Sequence, residues 1–155
     1  MDHRTYIALT VFVLVGATLM AGSEARQTAV EKDLKRLEGT WEAVGAVVDG
    51  VKQGPRKGKG HRLVIRADSY TLEASGKPFA KGTLKVDPSK KPPALDLIPS
   101  EGDTEGKTIP CIYEIKGDEL RVCVGRIEQA RPSEFDAKEG SKHMLNIYRR
   151  LPAKE

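Results

Sequence analysis

From Gly39 to the C-terminus, apolar residues recur at every second position in short runs, a period that belongs to strands and not to helices. Eight runs carry it: Thr40–Val48, Arg62–Ala67, Ser69–Ala74, Phe79–Asp87, Ala94–Ile98, Thr108–Lys116, Glu119–Gly125 and His143–Arg150. Turn-forming residues separate most of them, among them Asp49-Gly50, Ala67-Asp68, Ser75-Gly76-Lys77-Pro78 and Gly117-Asp118. Short strands joined by tight turns fold as an antiparallel meander. Closing that meander removes the edges that an open sheet would expose. The expectation is an all-β, about eight-stranded barrel.

The Gly117-Asp118 turn allows a register to be derived. A two-residue loop pairs Lys116 with Glu119, Ile115 with Leu120, Glu114 with Arg121, Tyr113 with Val122 and Cys111 with Val124. The apolar side chains then share one face, and opposite charges oppose each other on the other. A three-residue loop would set Cys111 against Cys123 but would face apolar residues with polar ones. The two-residue loop therefore puts Cys111 inside and Cys123 outside, with no disulfide within the chain. Alternation extended to the other strands turns Trp41, Ala43 and Val47 inward from the first strand, and Leu145 and Ile147 from the last.

Residues ahead of Gly39 read differently. Val30, Leu34 and Leu37 mark one face of a short helix over residues 27–39. Thr28 with Glu31 supplies a capping-box pattern, and Gly39 a C-terminal stop. Before it, Arg4, the apolar run from Ile7 to Met20 and the small-x-small tripeptide Ser23-Glu24-Ala25 make residues 1–25 a cleavable signal peptide. As a helix, Ile7 to Met20 rises only ~21 Å, short of the ~30 Å hydrocarbon core, so an uncleaved anchor is the weaker alternative. No cysteine is present there to carry a lipid. The working protein is then residues 26–155, a periplasmic or secreted domain, monomeric, touching a membrane only if the leader is kept.

The chain carries a net charge of +4 over its full length, and losing Asp2, Arg4 and Glu24 leaves the domain mildly basic. That is not the charge pattern of a nucleic-acid binder. His61 and His143 fall in no metal-spacing motif, and no base is evident beside Cys123 to activate it. With no phosphate-binding or nucleophile-elbow motif either, the reading is non-enzymatic, with no metal and no cofactor. Arg56, Lys57, Lys59, His61 and Arg62 form a basic cluster in a Gly-rich loop, either solvated or an anion-binding rim. Arg131-Pro132-Ser133-Glu134-Phe135 sits in the long connection before the last strand, where Phe135 is a candidate plug for a barrel end.

An ordered set of motifs runs through nearly the whole domain: Leu37-Glu38-Gly39-Thr40-Trp41, Asp49-Gly50, Asp87-Pro88-Ser89-Lys90-Lys91-Pro92, Gly106-Lys107-Thr108, Ile112-Tyr113-Glu114, Gly117-Asp118-Glu119-Leu120, Cys123 and Arg131-Pro132-Ser133-Glu134-Phe135. Together these resemble the uncharacterised lipocalin-like domain family found widely in planctomycete bacteria. The resemblance covers residues 34–150. It implies a lipocalin-like barrel in exported proteins, with no established activity or site residues. In lipocalins at large, the tryptophan of the first strand closes one barrel end under an arginine near the last strand. The resemblance thus implies that Trp41 pairs with Arg149, with Arg150 as the alternative. The candidate ligand-binding set is Tyr70 and Tyr113, which the same alternation turns inward, with Arg149, Arg56, Lys57 and Arg62. The expected partner is a small apolar or amphipathic molecule; the rival is a solid-core module that meets an envelope protein or polysaccharide.

Overall fold

The computed structural model describes residues 22–55 and 60–153. A helix over residues 22–37 (α1) precedes nine strands: β1 Gly39–Val48, β2 Val51–Gln53, β3 His61–Arg66, β4 Ser69–Ala74, β5 Lys77–Asp87, β6 Ala94–Pro99, β7 Ile109–Lys116, β8 Glu119–Val124 and β9 Met144–Arg150. Each strand from β3 onward pairs antiparallel with the next, and β1 pairs with both β3 and β9. The result is an eight-stranded antiparallel closed barrel. The additional strand β2 folds back on the last residues of β1. Its sequence, Val-Lys-Gln, is exposed throughout and too short to show a period. The turn before it is legible: Asp49 and Gly50 both take positive φ, 48° and 75°, as a tight hairpin requires.

α1 lies across the barrel end where β5 and β7 finish. Val30, Leu34 and Leu37 face the core, Arg26 pairs with Asp87 at 3.0 Å, and the Tyr113 hydroxyl donates to Asp33 at 2.6 Å. The helix covers residues on the N-terminal side of Thr28, so Thr28 does not cap it. Its hydroxyl donates instead to the carbonyl of Glu24 at 2.9 Å, as helix-interior threonines do. Of the expected leader, residues 1–21 lie outside the described residues, and residues 22–25 belong to α1. Among the described residues no helix is long and apolar enough to cross a membrane.

The pairing of β4 with β5 slips between Leu72 and Glu73, and two further departures from simple alternation change which residues face in. In β1 the pairing with β9 slips at Val44, so that Ala43 opposes Tyr148 but Gly45 opposes Ile147. This bulge reverses the upper half of the strand: Ala46 and Val48 face in, and Val47, expected inside, faces out. In β9 the inward residues are Met144, Asn146 and Tyr148, paired with Val124, Val122 and Leu120. Leu145 and Ile147, expected inside, point outward. Their apolar character has a separate cause. The connection 125–143 folds over the outer face of β7, β8 and β9 and buries Leu145 with Ile112, Cys123 and Ala137 against Phe135. Phe135 therefore packs on the outside wall, under the Arg121 guanidinium at 5.3 Å, and does not plug a barrel end. Arg131 fastens this connection. It donates to the carbonyls of Leu95 at 3.0 Å and Cys111 at 2.7 Å, and to the Asp96 carboxylate at 2.7 Å.

The β7–β8 hairpin has the derived register, from Lys116 opposite Glu119 to Cys111 opposite Val124. Cys111 accordingly sits in the inner core and Cys123 in the outer one, both free and both fully buried. Burial pushes both thiols up, Cys111 to about 12, so neither is a thiolate at neutral pH. A thiol-reactive probe should label neither cysteine in the native protein and both in denaturant. A monomer in which denaturant exposes no thiol would mean that this register is wrong.

Candidate functional site

The barrel is closed at the α1 end and hollow above it. Trp41, with no exposed surface, donates its indole N–H to the Leu37 carbonyl at 2.7 Å. The Arg150 guanidinium lies 4.0 Å from the indole ring centre, and its Nη1 donates to the Glu38 carbonyl at 2.7 Å while Nη2 reaches the Arg36 carbonyl. These are C-terminal carbonyls of a helix, which have few intrahelical donors, and a cation there also meets the negative end of the helix dipole. Trp41 is therefore buried beneath α1, and the guanidinium over its ring is that of Arg150, the alternative, and not that of Arg149. Arg149 is exposed on the outer face, opposite Glu119 and Glu42, because β9 alternates in the opposite sense to the one its leucine and isoleucine suggest. Gly39 follows the helix with a φ of 133°, and a Cβ there would come within 2.8 Å of Arg150 Nη1.

Above this floor the walls enclose a cavity of about 370 Å³. Leu37 is its base, and aliphatic side chains such as Leu63, Leu84, Leu95, Leu120 and Val122 form its sides. At the mouth stand Phe79, 57% exposed, and Met144, 43% exposed, with the Lys81–Glu101 ion pair at 3.3 Å. A wider hollow of about 890 Å³ on the β1 side shares Leu72, Phe79, Met144, Asn146 and Tyr148 with it, so the two adjoin along β9. That hollow exists because β1 pairs with β3 only as far as Glu42 and then with β2.

The expected site residues are scattered by this geometry. Tyr70 lines the cavity and is 4% exposed. Tyr113 is buried but held by Asp33 beneath α1, outside the cavity wall. Arg62 borders the wider hollow between Glu42 and Glu73, its Nε buried without a hydrogen-bond partner among the described residues. Arg56 and Lys57 lie outside the described residues. Two further polar wall residues, Asn146 and Tyr148, lie on the face of β9 that the apolar pattern of Leu145 and Ile147 turns outward. The β8 register would have found them, since Leu120 and Val122 oppose them directly. Tyr148 is held neutral, its phenol pushed up to about 12 by burial and by the nearby Cys111 thiol. Tyr70 is shifted upward for the same reasons.

Among the described residues no three His, Cys, Asp or Glu side chains come together as a metal site. His61 instead meets the edge of Phe79, ring centres 6.2 Å apart. No family model, curated protein or solved structure matches the chain.

Proposed function

We propose that the protein is an exported, non-enzymatic binding protein that holds a small, largely apolar molecule inside its barrel. The observation that carries this reading is the hollow interior. A volume of about 370 Å³ falls within the ~300–1,000 Å³ of ligand sites, and its walls are predominantly aliphatic with a few convergent polar groups. A hollow interior favours this reading over that of a solid interaction module. The exposed Phe79 and Met144 at the mouth give an apolar molecule a path inward. Export is supported by the leader-like residues 1–25 and by the resemblance to exported lipocalin-like domains. It is also compatible with the buried, protonated cysteines, which resist oxidation for want of thiolate.

The neutral fluorophore N-phenylnaphthylamine tests the reading. Its emission should rise saturably with the wild-type protein, at a Kd of order micromolar. Leu97→Trp, which projects extra volume from β6 into the cavity, should weaken binding at least about tenfold while the fold, read by circular dichroism, is retained. No saturable signal, or equal binding by the filled variant, would remove the cavity as the site.

A further inference from the structure

Resting on the cavity as a ligand site, a second question is what the ligand carries at its polar end. Besides Thr104 and the Lys81–Glu101 pair, the polar side chains that line the cavity among the described residues are Tyr70 from β4 and Asn146 and Tyr148 from β9. Tyr70 and Tyr148 are 4% and 8% exposed, yet neither phenol nor the Asn146 carboxamide makes a hydrogen bond among the described residues. Tyr113 is the contrast, its phenol satisfied by Asp33 and withdrawn from the wall. The polar atoms of Tyr70, Asn146 and Tyr148 are not fully buried but open onto the cavity, where a bound polar group can satisfy them. Phenylalanine would fill the same volume at both tyrosine positions.

Charge narrows the class. Among the described residues the only ionised groups on this cavity are Lys81 and Glu101, which pair with each other at the mouth and are both more than half exposed. A carboxylate or ammonium carried inward would lose its hydration and meet no counter-charge. Phenols and a carboxamide together offer donors and an acceptor to a neutral group.

Register fixes the depth. Tyr148 opposes Ala43, one inward step above the Trp41–Arg150 closure, and Tyr70 opposes Ile65, which itself opposes Gly39 at the start of β1. Both phenols therefore register within one inward step of Trp41 along β1, Tyr148 on its mouth side and Tyr70 on its helix side. Asn146 lies one step higher, and Met144 at the rim.

We propose that the ligand is an aliphatic molecule with an uncharged oxygen head, a hydroxyl or carbonyl, that enters head first and is received by Tyr70, Tyr148 and Asn146, its chain running toward Phe79 and Met144.

Displacement of N-phenylnaphthylamine by decanol, decanoate and decylamine at neutral pH tests the head group. Decanol should displace the fluorophore at least about tenfold more effectively than either charged analogue. The Tyr70→Phe/Tyr148→Phe double variant should lose about tenfold of its decanol affinity and bring decanol close to decanoate, with its thermal midpoint unchanged or raised. A merely structural role for the phenols would leave that selectivity intact. If the fluorophore binds but decanoate competes as well as decanol, or the double variant keeps its preference, the head-group assignment fails alone. If the fluorophore does not bind at all, the cavity reading fails first.

Discussion

Replacing Trp41 with alanine should cost about 3–5 kcal/mol and lower the melting temperature by on the order of 10 °C or more. The residue is wholly buried, its indole N–H is spent on the Leu37 carbonyl, and Arg150 covers its ring. Truncation would open the barrel floor and free the C-terminal turn of α1 at once. Arg150→Ala keeps the indole but loses its cation and the donors to the Glu38 and Arg36 carbonyls, and should cost about 2 kcal/mol. Arg150→Lys should recover only part, because an ammonium lacks the fork that reaches both carbonyls while lying flat on the ring. The neighbouring Arg149→Ala is the control and should stay within about 0.5 kcal/mol. Thermal melts of the four variants decide the matter. An Arg149 variant as damaged as the Arg150 one would contradict the closure described here.

The second large effect is alkaline. Cys111 is raised from the ordinary thiol value to about 12, and Tyr148 from the ordinary phenol value to about 12, both chiefly by burial. Tyr113 is raised further, by burial and by its bond to Asp33. A raised value in the fold means that the folded state keeps a proton which the unfolded chain has released. The resulting stability is whole below the unfolded values and drains as pH climbs toward the folded ones. The thermal midpoint should thus vary little on this account up to about pH 9, then fall with a slope of ~1.4 kcal/mol per pH unit from Cys111. Above about pH 10 the tyrosines add to that slope. A domain in the lower part of the ordinary range, ~5–10 kcal/mol, should unfold cooperatively before pH 12. Phenolate absorbance should appear together with loss of circular dichroism, and replacing both Cys111 and Cys123 with Val should move the onset upward by about one pH unit. Tyrosines that ionise near their ordinary value in a protein that remains folded would overturn this.

How much of this was legible before the fold depended on whether one face of a strand was enough to explain it. β3 and the second half of β5 alternate cleanly, and the Gly117-Asp118 turn sets the register of its hairpin, cysteines included, although both faces of β7 are buried. β9 could not, because both of its faces are buried: Leu145 answers to the outer core and Tyr148 to the inner one. Aliphatic character then pointed the wrong way, and Arg149 was preferred over Arg150 on that account. The slip at Val44 leaves no mark in composition, so Val47 was misplaced too. The cavity itself is a sum of side-chain volumes around a closed wall, and alternation says which residues face in but not whether they meet.

The outer core fastened by Arg131 makes the barrel mechanically lopsided. Pro110–Tyr113 of β7 are buried four in a row, with side chains packed on both sides of the wall, whereas the outer face of β5 presents Lys81, Thr83 and Lys85 to solvent. Strand ladders sandwiched between two apolar layers open rarely, and those shielded on one side only open more readily. One half of the cylinder is therefore a stiff back and the other, from β3 to β5, a compliant front. A molecule too wide for the rim would find its give on the front, where Tyr70 waits on the inner surface.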